Sequence, residues 1–292
     1  MKPAPFRYVA ARTLDHALQL KAEHGDEARF LAGGQSLVPT MNFRLTQPAM
    51  LIDINPLSEL GGVRNGSGQK LSIGALTRYR TLERDPAIAA HVPLIAEALP
   101  HIAHPQIRNR GTIGGNLAHA DPASEMPAII LALAGRIRAQ SVRGGRWIDA
   151  QDFFVGALTT ALEPDEMLAE VELPAAPPRS GACFMEVSRR RGDFALMGIA
   201  CTVQIDEGGH CSAARIAFCN AGDGPVFAAE ASASLTGTMI GKEDIKQAAA
   251  LIQGAIDPGG SIHASKEFQR HLAGVLTGRA LAVAKERAGN GR

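Results

Sequence analysis

The chain has 292 residues, of which 46% are hydrophobic and 20% charged, and its formal net charge at pH 7 is +1. This composition predicts a folded protein rather than a disordered one, and the length favours two domains. Because the charges nearly balance, no overall field favours a nucleic acid or an anionic membrane as partner. The start, MKPAPFRYVA, has no apolar run of signal-peptide length, and the longest apolar stretch, AIILALA at Ala128–Ala134, is too short for a membrane span. These features predict a cytoplasmic protein without membrane insertion.

Short helical and extended segments alternate in the first half of the chain. Apolar periodicity and strand-forming residues predict a helix at Leu14–Glu23 and strands at Arg29–Leu31, Leu51–Ile54 and Leu71–Ile73. Further helical runs are predicted from Thr77 to about Asp85, from Val92 to about Ile102, and over Ala123–Leu133 after an Asp121 N-cap and Pro122. A hairpin is predicted over Ser141–Ile148 around Gly144-Gly145, followed by a half-buried strand at Met167–Leu173.

A proline-rich segment, PAAPPRS at 174–180, is the best domain boundary in the sequence, because its three prolines suit neither a helix interior nor a central strand. Beyond it, strands are predicted at Cys183–Val187, Ile199–Ile205 and Ala213–Cys219, and helices at Lys242–Ile256 and Ala264–Ala288. The turn Glu207-Gly208-Gly209 joins the last two strands. A meander followed by two helices predicts an α+β unit.

The four cysteines, at positions 183, 201, 211 and 219, form no CxxC pair and no close spacing of the kind that zinc or iron–sulfur sites use. His210, Cys211 and Cys219 are conceivable metal ligands. Buried, reduced thiols in a strand-rich segment are the favoured interpretation.

Two glycine-bearing segments carry the chemistry that the sequence reveals. The first, Ala32-Gly33-Gly34-Gln35-Ser36, follows a predicted strand and leads into a helical segment for which Ser36 is a suitable N-cap. The second, Thr112-Ile113-Gly114-Gly115-Asn116, lies in a loop-like stretch with Arg108 and Arg110, which could neutralise charge or fix the loop internally. Glycine backbones and a helix start can bind a phosphate group. Each segment taken singly is also compatible with an ordinary turn.

The commoner nucleotide and hydrolase signatures are absent from the sequence. No G-x-G-x-x-G occurs, and the segment Gly237–Lys242 is one residue short of a P-loop. Neither G-x-S-x-G nor H-E-x-x-H occurs either. Rossmann, P-loop and hydrolase interpretations are therefore disfavoured.

The two motifs AGGQS and TIGGN, with the flanks LIDIN (Leu51–Asn55), IRNRGTIGGNLAHADPASEMPA and SRRRGDFAL (Ser188–Leu196), resemble the FAD-binding medium subunits of the carbon monoxide dehydrogenase and xanthine dehydrogenase family. The resemblance covers essentially the whole chain. It implies an α+β fold: a two-part FAD-binding domain of the vanillyl-alcohol oxidase (PCMH) type at residues 1–176, and a smaller C-terminal domain at 181–288 with a three-stranded antiparallel sheet and helices.

The resemblance also implies which residues hold the FAD. Those matching the two motifs are Ala32, Gly33, Gly34, Gln35, Ser36, Thr112, Gly114, Gly115 and Asn116. Ile102 and Phe194 match positions near the isoalloxazine ring, and Glu125 stands where relatives often carry an aspartate that binds the ribityl hydroxyls. Neither glycine motif contains a histidine or cysteine, so non-covalent FAD is expected and no catalytic side chain is assigned.

In such a complex a large molybdopterin subunit oxidises the substrate, a small [2Fe–2S] subunit relays electrons, and FAD on this chain passes them to an external acceptor. The resemblance implies a dimer of these heterotrimers. Arg189, Arg190 and Arg191 could border the flavin or a partner, or form solvated surface. Two alternatives stay open: a stand-alone flavin oxidoreductase resembling UDP-N-acetylenolpyruvoylglucosamine reductase, and a non-catalytic nucleotide-binding scaffold.

Overall fold

The computed structural model describes residues 2–66 and 69–290, so Met1 of the N-terminal segment lies outside the described residues. The strands are β1 (Arg7–Ala10), β2 (Ala28–Leu31), β3 (Met50–Asp53), β4 (Val63–Asn65), β5 (Lys70–Gly74), β6 (Arg136–Ser141), β7 (Gly144–Asp149), β8 (Phe154–Gly156), β9 (Thr159–Thr160), β10 (Met167–Pro174), β11 (Ser180–Ser188), β12 (Ala195–Ile205), β13 (Cys211–Cys219) and β14 (Val226–Phe227). The helices are α1 (Leu14–His24), α2 (Leu37–Asn42), α3 (Tyr79–Leu82), α4 (Pro86–His91), α5 (Pro93–Ala98), α6 (Pro105–Arg108), α7 (Ile113–His119), α8 (Glu125–Ala132), α9 (Ala150–Phe153), α10 (Ala229–Ser234), α11 (Lys242–Ala255) and α12 (Lys266–Gly289).

The first sheet is small and parallel, with strand order β1-β3-β2. Helix α1 connects β1 to β2, and its Leu18 is buried with Ile52 of β3 in one apolar cluster. Because the strands are parallel, their carboxyl ends lie at the same edge of the sheet. Leu31 of β2 pairs with Asp53 of β3 at that edge. The chain segments that follow these two residues therefore leave the sheet side by side.

The second sheet is antiparallel, in the order β4-β5-β10-β6-β7. Ile73 of β5 and Val171 of β10 face each other and are fully buried. They belong to the largest core cluster, with Leu94 of α5, Leu117 of α7 and Ile129 of α8. Helices that follow the first sheet in sequence are thus anchored on the second sheet by apolar burial.

The third sheet is antiparallel, in the order β11-β12-β13-β14, and is covered on both faces. Ile199 and Cys201 of β12 are buried in a cluster with Leu281 of α12, whereas Ala200 belongs to the cluster around α8. Successive residues of a strand point to opposite faces, so this alternation explains the nearly continuous burial of β12. The expected antiparallel sheet with helices is confirmed, and β14 adds a short fourth strand to the predicted three.

The predicted helix at Ala123–Leu133 is wrong at its start. It begins at Glu125, with Ser124 in the cap position. The Asp121 carboxylate instead accepts a hydrogen bond of 2.9 Å from the amide of Ala123, and its carbonyl oxygen accepts one of 3.0 Å from the amide of Ser124. Asp121 therefore stabilises a turn that precedes the helix.

The long helical runs predicted after Thr77 and after Val92 are broken into shorter helices. The first contains only α3, the second ends at Ala98, and α4 between them was not predicted. Pro86 and Pro93 each occupy the first turn of a new helix, where a missing backbone N–H costs nothing. A hairpin forms in this region, but its bounds differ from the predicted ones: its first arm is β6, which ends at Ser141, and Gly144 and Gly145 lie in β7 rather than in the turn.

The four cysteines are free and buried, as predicted. Burial raises the pKa of the Cys183 thiol to about 12, and it also raises the pKa values of Cys201, Cys211 and Cys219. Within residues 2–66 and 69–290, no three His, Cys, Asp or Glu side chains are grouped so as to hold a metal ion. In the same residues, no helix is both long enough and apolar enough to cross a membrane.

Candidate functional site

The first glycine loop, residues 32–36, leaves the carboxyl end of β2. The backbone amides of Gly33, Gly34, Gln35 and Ser36 make no hydrogen bond to any described residue. The Gln35 side chain donates to the Gly33 carbonyl oxygen at 3.1 Å, and Gly34 has a φ of +71°, which favours glycine. Four consecutive amides are thus available to an acceptor outside the protein.

Ser36 occupies the cap position of α2 as expected, but the predicted capping bond does not form. Its side chain makes no hydrogen bond to the first turn, and its carbonyl oxygen accepts from the amide and the hydroxyl of Thr40, each at 3.1 Å. The Ser36 amide therefore remains one of the free donors of the first glycine loop.

The second glycine segment is helical, which the sequence did not predict. Thr112 is the N-cap of α7, and its hydroxyl accepts from the amide of Gly115 at 3.1 Å. The amides of Ile113 and Gly114 donate to the carbonyl oxygens of Thr77 and Ala75, at 3.1 and 2.9 Å. The protein itself thus uses the first donors of this helix.

Position 114 needs a glycine even though its own amide is already bonded within the protein. A Cβ at Gly114 would lie 2.8 Å from both the Cα and the carbonyl oxygen of Ala75. That spacing is shorter than non-bonded atoms tolerate, so only glycine lets α7 pack against the segment after β5. Gly114 is buried, whereas Gly115 next to it is exposed.

The two glycine segments touch each other. A Cβ at Gly33 would overlap the carbonyl oxygen of Arg110 and lie 2.9 Å from the Cα of Gly111. A Cβ at Gly115 would lie 3.7 Å from the Cβ of Ala32. Segments almost 80 positions apart in sequence therefore form one surface, as expected of two loops that share a ligand.

An open cleft of about 500 Å³ lies at this junction, at the carboxyl edge of the parallel sheet. Edges of this kind are where α/β folds commonly bind ligands. The lining residues are Tyr8, Leu31, Ala32, Gly33, Gly34, Gln35, Val38, Pro39, Asp53, Asn55 and Arg110. Another open cleft, of about 560 Å³, lies against the C-terminal helix and contains none of the predicted site residues.

Asp53 and its neighbours were not predicted as site residues. The Tyr8 hydroxyl donates to the Asp53 carboxylate at 2.5 Å, and the amide of Asn55 donates to it at 2.9 Å. Burial opposes the charged form of Asp53, but these hydrogen bonds and the nearby Arg78 guanidinium outweigh it and lower the pKa of the carboxyl. The signal that could have found these residues is the LIDIN segment, which ends a strand parallel to β2.

Arg108 and Arg110, which precede the second glycine segment, have different positions in the structure. Arg108 is buried and fixes the chain internally, because it donates to the carbonyl oxygens of Ile102 and Ala103 at 3.0 and 2.9 Å and pairs with Glu83 at 2.8 Å. Arg110 lines the cleft. Its positive charge lies where an anionic ligand would be stabilised.

Asn116 and Glu125 are linked through Ser124, although neither lines the cleft. The Asn116 amide group donates to the Ser124 hydroxyl at 2.7 Å and can accept from it at 2.9 Å. Glu125 is 4% exposed, and its carboxyl makes no hydrogen bond to another described residue. Burial first, and then the carboxylates of Glu186 and Asp121, raise the pKa of Glu125 to about 7.

Ile102 and Phe194 lie on segments that contact each other away from the cleft. Ile102 is buried and Phe194 is 63% exposed. A Cβ at Gly192 would lie 2.7 Å from the Ala103 carbonyl oxygen, so the 188–194 segment packs on the residues after Ile102. The structure thus joins these two segments but does not place them in the cleft beside the first loop.

The geometry of the cleft does not identify its ligand, and comparison with known proteins does. Residues 4–176 match the model of the FAD binding domain in molybdopterin dehydrogenase, and residues 182–284 match that of the CO dehydrogenase flavoprotein C-terminal domain. The chain belongs to this family. FAD is its cofactor, and the protein is an oxidoreductase subunit.

Individual relatives match along the full chain. The 6-hydroxypseudooxynicotine dehydrogenase complex subunit alpha of Paenarthrobacter nicotinovorans is 44% identical over 99% of this chain and 97% of that protein. The carbon monoxide dehydrogenase medium chain of Afipia carboxidovorans is 36% identical over 99% of this chain and 100% of that protein. The solved carbon monoxide dehydrogenase of Hydrogenophaga pseudoflava gives a TM-score of 0.95 at 36% identity, covering 98% of this chain and 99% of that chain. The predicted fold class is thereby confirmed.

The residues present fit FAD. A diphosphate needs hydrogen-bond donors, and the first loop offers unpaired amides at Gly33–Ser36 beside the charge of Arg110. A ribityl chain supplies hydroxyl donors, and the Glu125 carboxyl has a hydrogen bond only from its own backbone amide among the described residues. The second segment fits less directly, because its first amides are already bonded within the protein.

Proposed function

We propose that this chain is the electron-transferring FAD subunit of a heterotrimeric molybdenum hydroxylase. In the proposed complex a large molybdopterin subunit oxidises the substrate and a small subunit carries the electrons over [2Fe–2S] clusters to this chain. The observation that supports it most is the match of the whole chain to a relative described as a medium chain and to another described as a subunit of a dehydrogenase complex. Assembly as a dimer of heterotrimers in the cytoplasm completes the proposal.

FAD supplies the redox chemistry, because it can take up electrons and release them to an acceptor of a different kind. The residues of this chain bind and orient it. We propose that the amides of Gly33, Gly34, Gln35 and Ser36 hold the diphosphate, with Ala32 and Arg110 beside them. Thr112, Gly114, Gly115 and Asn116 then shape the facing wall, with Gly115 exposed next to Ala32.

We further propose that Glu125 accepts hydrogen bonds from the ribityl hydroxyls, and that Ile102 and Phe194 lie near the isoalloxazine ring. The exposure of Phe194 and the contact between its segment and Ala103 support a ring site between the two parts of the chain. We divide these parts at 1–176 and 181–288. The prolines between β10 and β11 and the ranges of the two matched families support that division.

Arg189 and Arg190 have contacts that fit a surface role. Arg189 contacts His263 at 2.8 Å, and Arg190 pairs with Asp193 at 3.2 Å, with its side chain 76% exposed. Solvated surface or a partner contact therefore suits these arginines better than a place against the flavin.

The relatives' substrates differ, while their flavin chains align along their full lengths. One is described as a caffeine dehydrogenase subunit and another as part of a nicotine hydroxylase. Substrate choice therefore belongs to another subunit of the proposed complex, and this chain serves the step that follows oxidation.

Purification from the native host tests this proposal. We expect a yellow protein that co-elutes with two partners, one carrying molybdopterin and one carrying iron–sulfur clusters. Added substrate of the complex is expected to bleach the flavin only while the iron–sulfur partner is present. A yellow monomer that oxidises a substrate unaided would support the stand-alone oxidoreductase, and a colourless chain would support the scaffold.

A further inference from the structure

We infer that Arg78 and Asn55 form a bridge that sets the spacing between the two glycine segments and thereby the affinity for FAD. The inference rests on the FAD site proposed above. Neither residue belongs to a glycine motif. Both act as positioning residues, because the side-chain hydrogen bonds that the structure shows for them go to the two loops, to Asp53 and to each other.

The bridge begins at Arg110, just before the second glycine segment. The Arg78 guanidinium donates to the carbonyl oxygen of Arg110 and to the side-chain oxygen of Asn55. Backbone contacts fix where that side chain starts, because Arg78 pairs with Thr112 in an isolated antiparallel bridge and the Tyr79 amide donates to the Gly111 carbonyl oxygen at 3.0 Å. The guanidinium therefore leaves a backbone that is already attached to this segment.

The bridge ends on the first glycine loop. The Asn55 side-chain nitrogen donates to the carbonyl oxygen of Ala32 at 3.0 Å and lies 3.3 Å from that of Leu31. The Asp53 carboxylate holds Asn55 by accepting from its backbone amide at 2.9 Å and from its side chain at 2.5 Å. Asn55 thus connects the guanidinium of Arg78 with the start of the loop.

The chemistry at each end needs the residue type that is present. Asparagine offers an acceptor towards Arg78 and donors towards Ala32 from one planar group, whereas aspartate would place an acceptor against a carbonyl oxygen. Arginine reaches two acceptors from one planar fork, which a lysine ammonium cannot reproduce with the same geometry.

The Arg78 charge is already committed within the protein. Burial and the neighbouring Arg110 lower the pKa of Arg78, and Asp53 opposes that effect. Both of its hydrogen-bond acceptors are protein atoms, so its role is to hold the loops at a fixed separation. Direct hydrogen bonds to the diphosphate belong to the amides of the first loop, and charge neutralisation belongs to Arg110.

The test measures FAD affinity, through quenching of flavin fluorescence, and thermal unfolding of the FAD-free protein, using the purified full chain. Arg78→Ala and Asn55→Ala should each weaken FAD binding about tenfold, because each removes hydrogen bonds that fix one loop against the other. Arg146→Ala is the matched control, since Arg146 also joins a backbone carbonyl, that of Ala161 at 2.7 Å, to a side chain, that of Glu166, away from the cleft. We expect the control to bind FAD as the unmodified chain does.

A double variant distinguishes a shared bridge from two separate contributions. Either change breaks the same bridge. The FAD affinity of the double Ala variant should therefore be no lower than that of the single variant with the lower affinity. A further loss of about tenfold in the double variant would overturn the inference. So would a loss in Arg78→Ala that grows steeply as salt is lowered, because direct contact with the diphosphate would cause that dependence.

The readouts separate this inference from the proposal on which it rests. An unmodified chain that binds no FAD contradicts the FAD site itself. Normal FAD binding by the unmodified chain and by all bridge variants contradicts only the bridge. A lowered unfolding temperature with unchanged FAD affinity would likewise assign Arg78 and Asn55 to fold stability and overturn the positioning role.

Discussion

Gly33 packs tightly against the backbone that leads into the second glycine segment. Gly33→Ala would drive a Cβ into the Arg110 carbonyl oxygen and near the Cα of Gly111, and both are backbone atoms with little freedom to move. We expect FAD affinity to fall by about 5- to 150-fold, since overpacking of this kind costs roughly 1–3 kcal/mol. Flavin fluorescence titration measures it, with Gly254→Ala as control because nothing lies near a Cβ there. Equal FAD affinity in Gly33→Ala and the unmodified chain would contradict the contact.

If Glu125 binds the ribityl chain as proposed, we expect it to make FAD binding dependent on pH. In the FAD-free chain the pKa of Glu125 is raised to about 7, chiefly by burial. Ribityl hydroxyls that donate to the carboxylate would lower that pKa in the complex, so their contribution is complete above pH 7 and is lost as the pH falls. FAD affinity should therefore drop about tenfold per pH unit below 7, until the bound carboxyl is itself protonated.

Glu125→Gln supplies the control for this pH dependence, because the amide keeps the size of the side chain but cannot titrate. Titrations of this variant between pH 5 and 8 should show a flat affinity over the range in which the unmodified chain varies. A slope that survives in Glu125→Gln would assign the pH effect to another group, such as His101, whose pKa is raised by its hydrogen bond to Glu186.

Helix α7 is the element on which the second glycine motif depends. A Cβ at Gly115 would lie 2.8 Å from the Thr112 hydroxyl that caps the helix and 3.7 Å from the Cβ of Ala32. Gly115→Val should therefore weaken FAD binding by disturbing both the cap and the contact with the first loop. Ala118→Val introduces the same residue at an exposed site of the same helix and should leave FAD affinity unchanged. Equal effects in the two variants would indicate a general loss of helix stability instead.

Helix α12 docks on β11 through a close approach at Gly181. A Cβ there would overlap the Ala284 carbonyl oxygen and lie 2.6 Å from the amide nitrogen of Ala288. Gly181→Ala should lower the unfolding free energy by about 1–3 kcal/mol, since the helix must shift outward. Thermal unfolding measures this effect, and Gly289→Ala, with open space around the position, is the control. Matching unfolding temperatures for the two variants would refute this account of the docking.

Sequence periodicity predicts the elements whose apolar residues are regularly spaced, and it fails where specific contacts with distant residues decide the structure. The predicted strands of the C-terminal part and helix α11 agree with the structure because their apolar spacing is regular. Helix α7 was predicted as a loop, since two glycines lower helix propensity. Its cap at Thr112 and the bonds to Thr77 and Ala75 compensate, and the last two contacts are not visible in the sequence around the helix.

Across the whole molecule, the residues of the cleft that were predicted belong to a local motif, whereas those that were missed come together only through distant contacts. The first glycine loop was predicted from its own residues, and it lines the cleft. Tyr8 and Arg78 belong to neither glycine motif, and Asn55 ends the LIDIN segment, which was not assigned to the site. Only the parallel pairing of β1, β2 and β3 with the contact between the loops brings the three residues together.

We propose above that the first glycine loop holds FAD through backbone amides that the protein leaves free. Hydrogen–deuterium exchange of the full chain with and without FAD tests this claim directly. We predict that FAD slows exchange in the peptide containing Gly33–Ser36, whereas the amides of Ile113–Gly115, already bonded within the protein, change little. Unchanged exchange at Gly33–Ser36 in the FAD-bound chain, with new protection at another site, would contradict the claim.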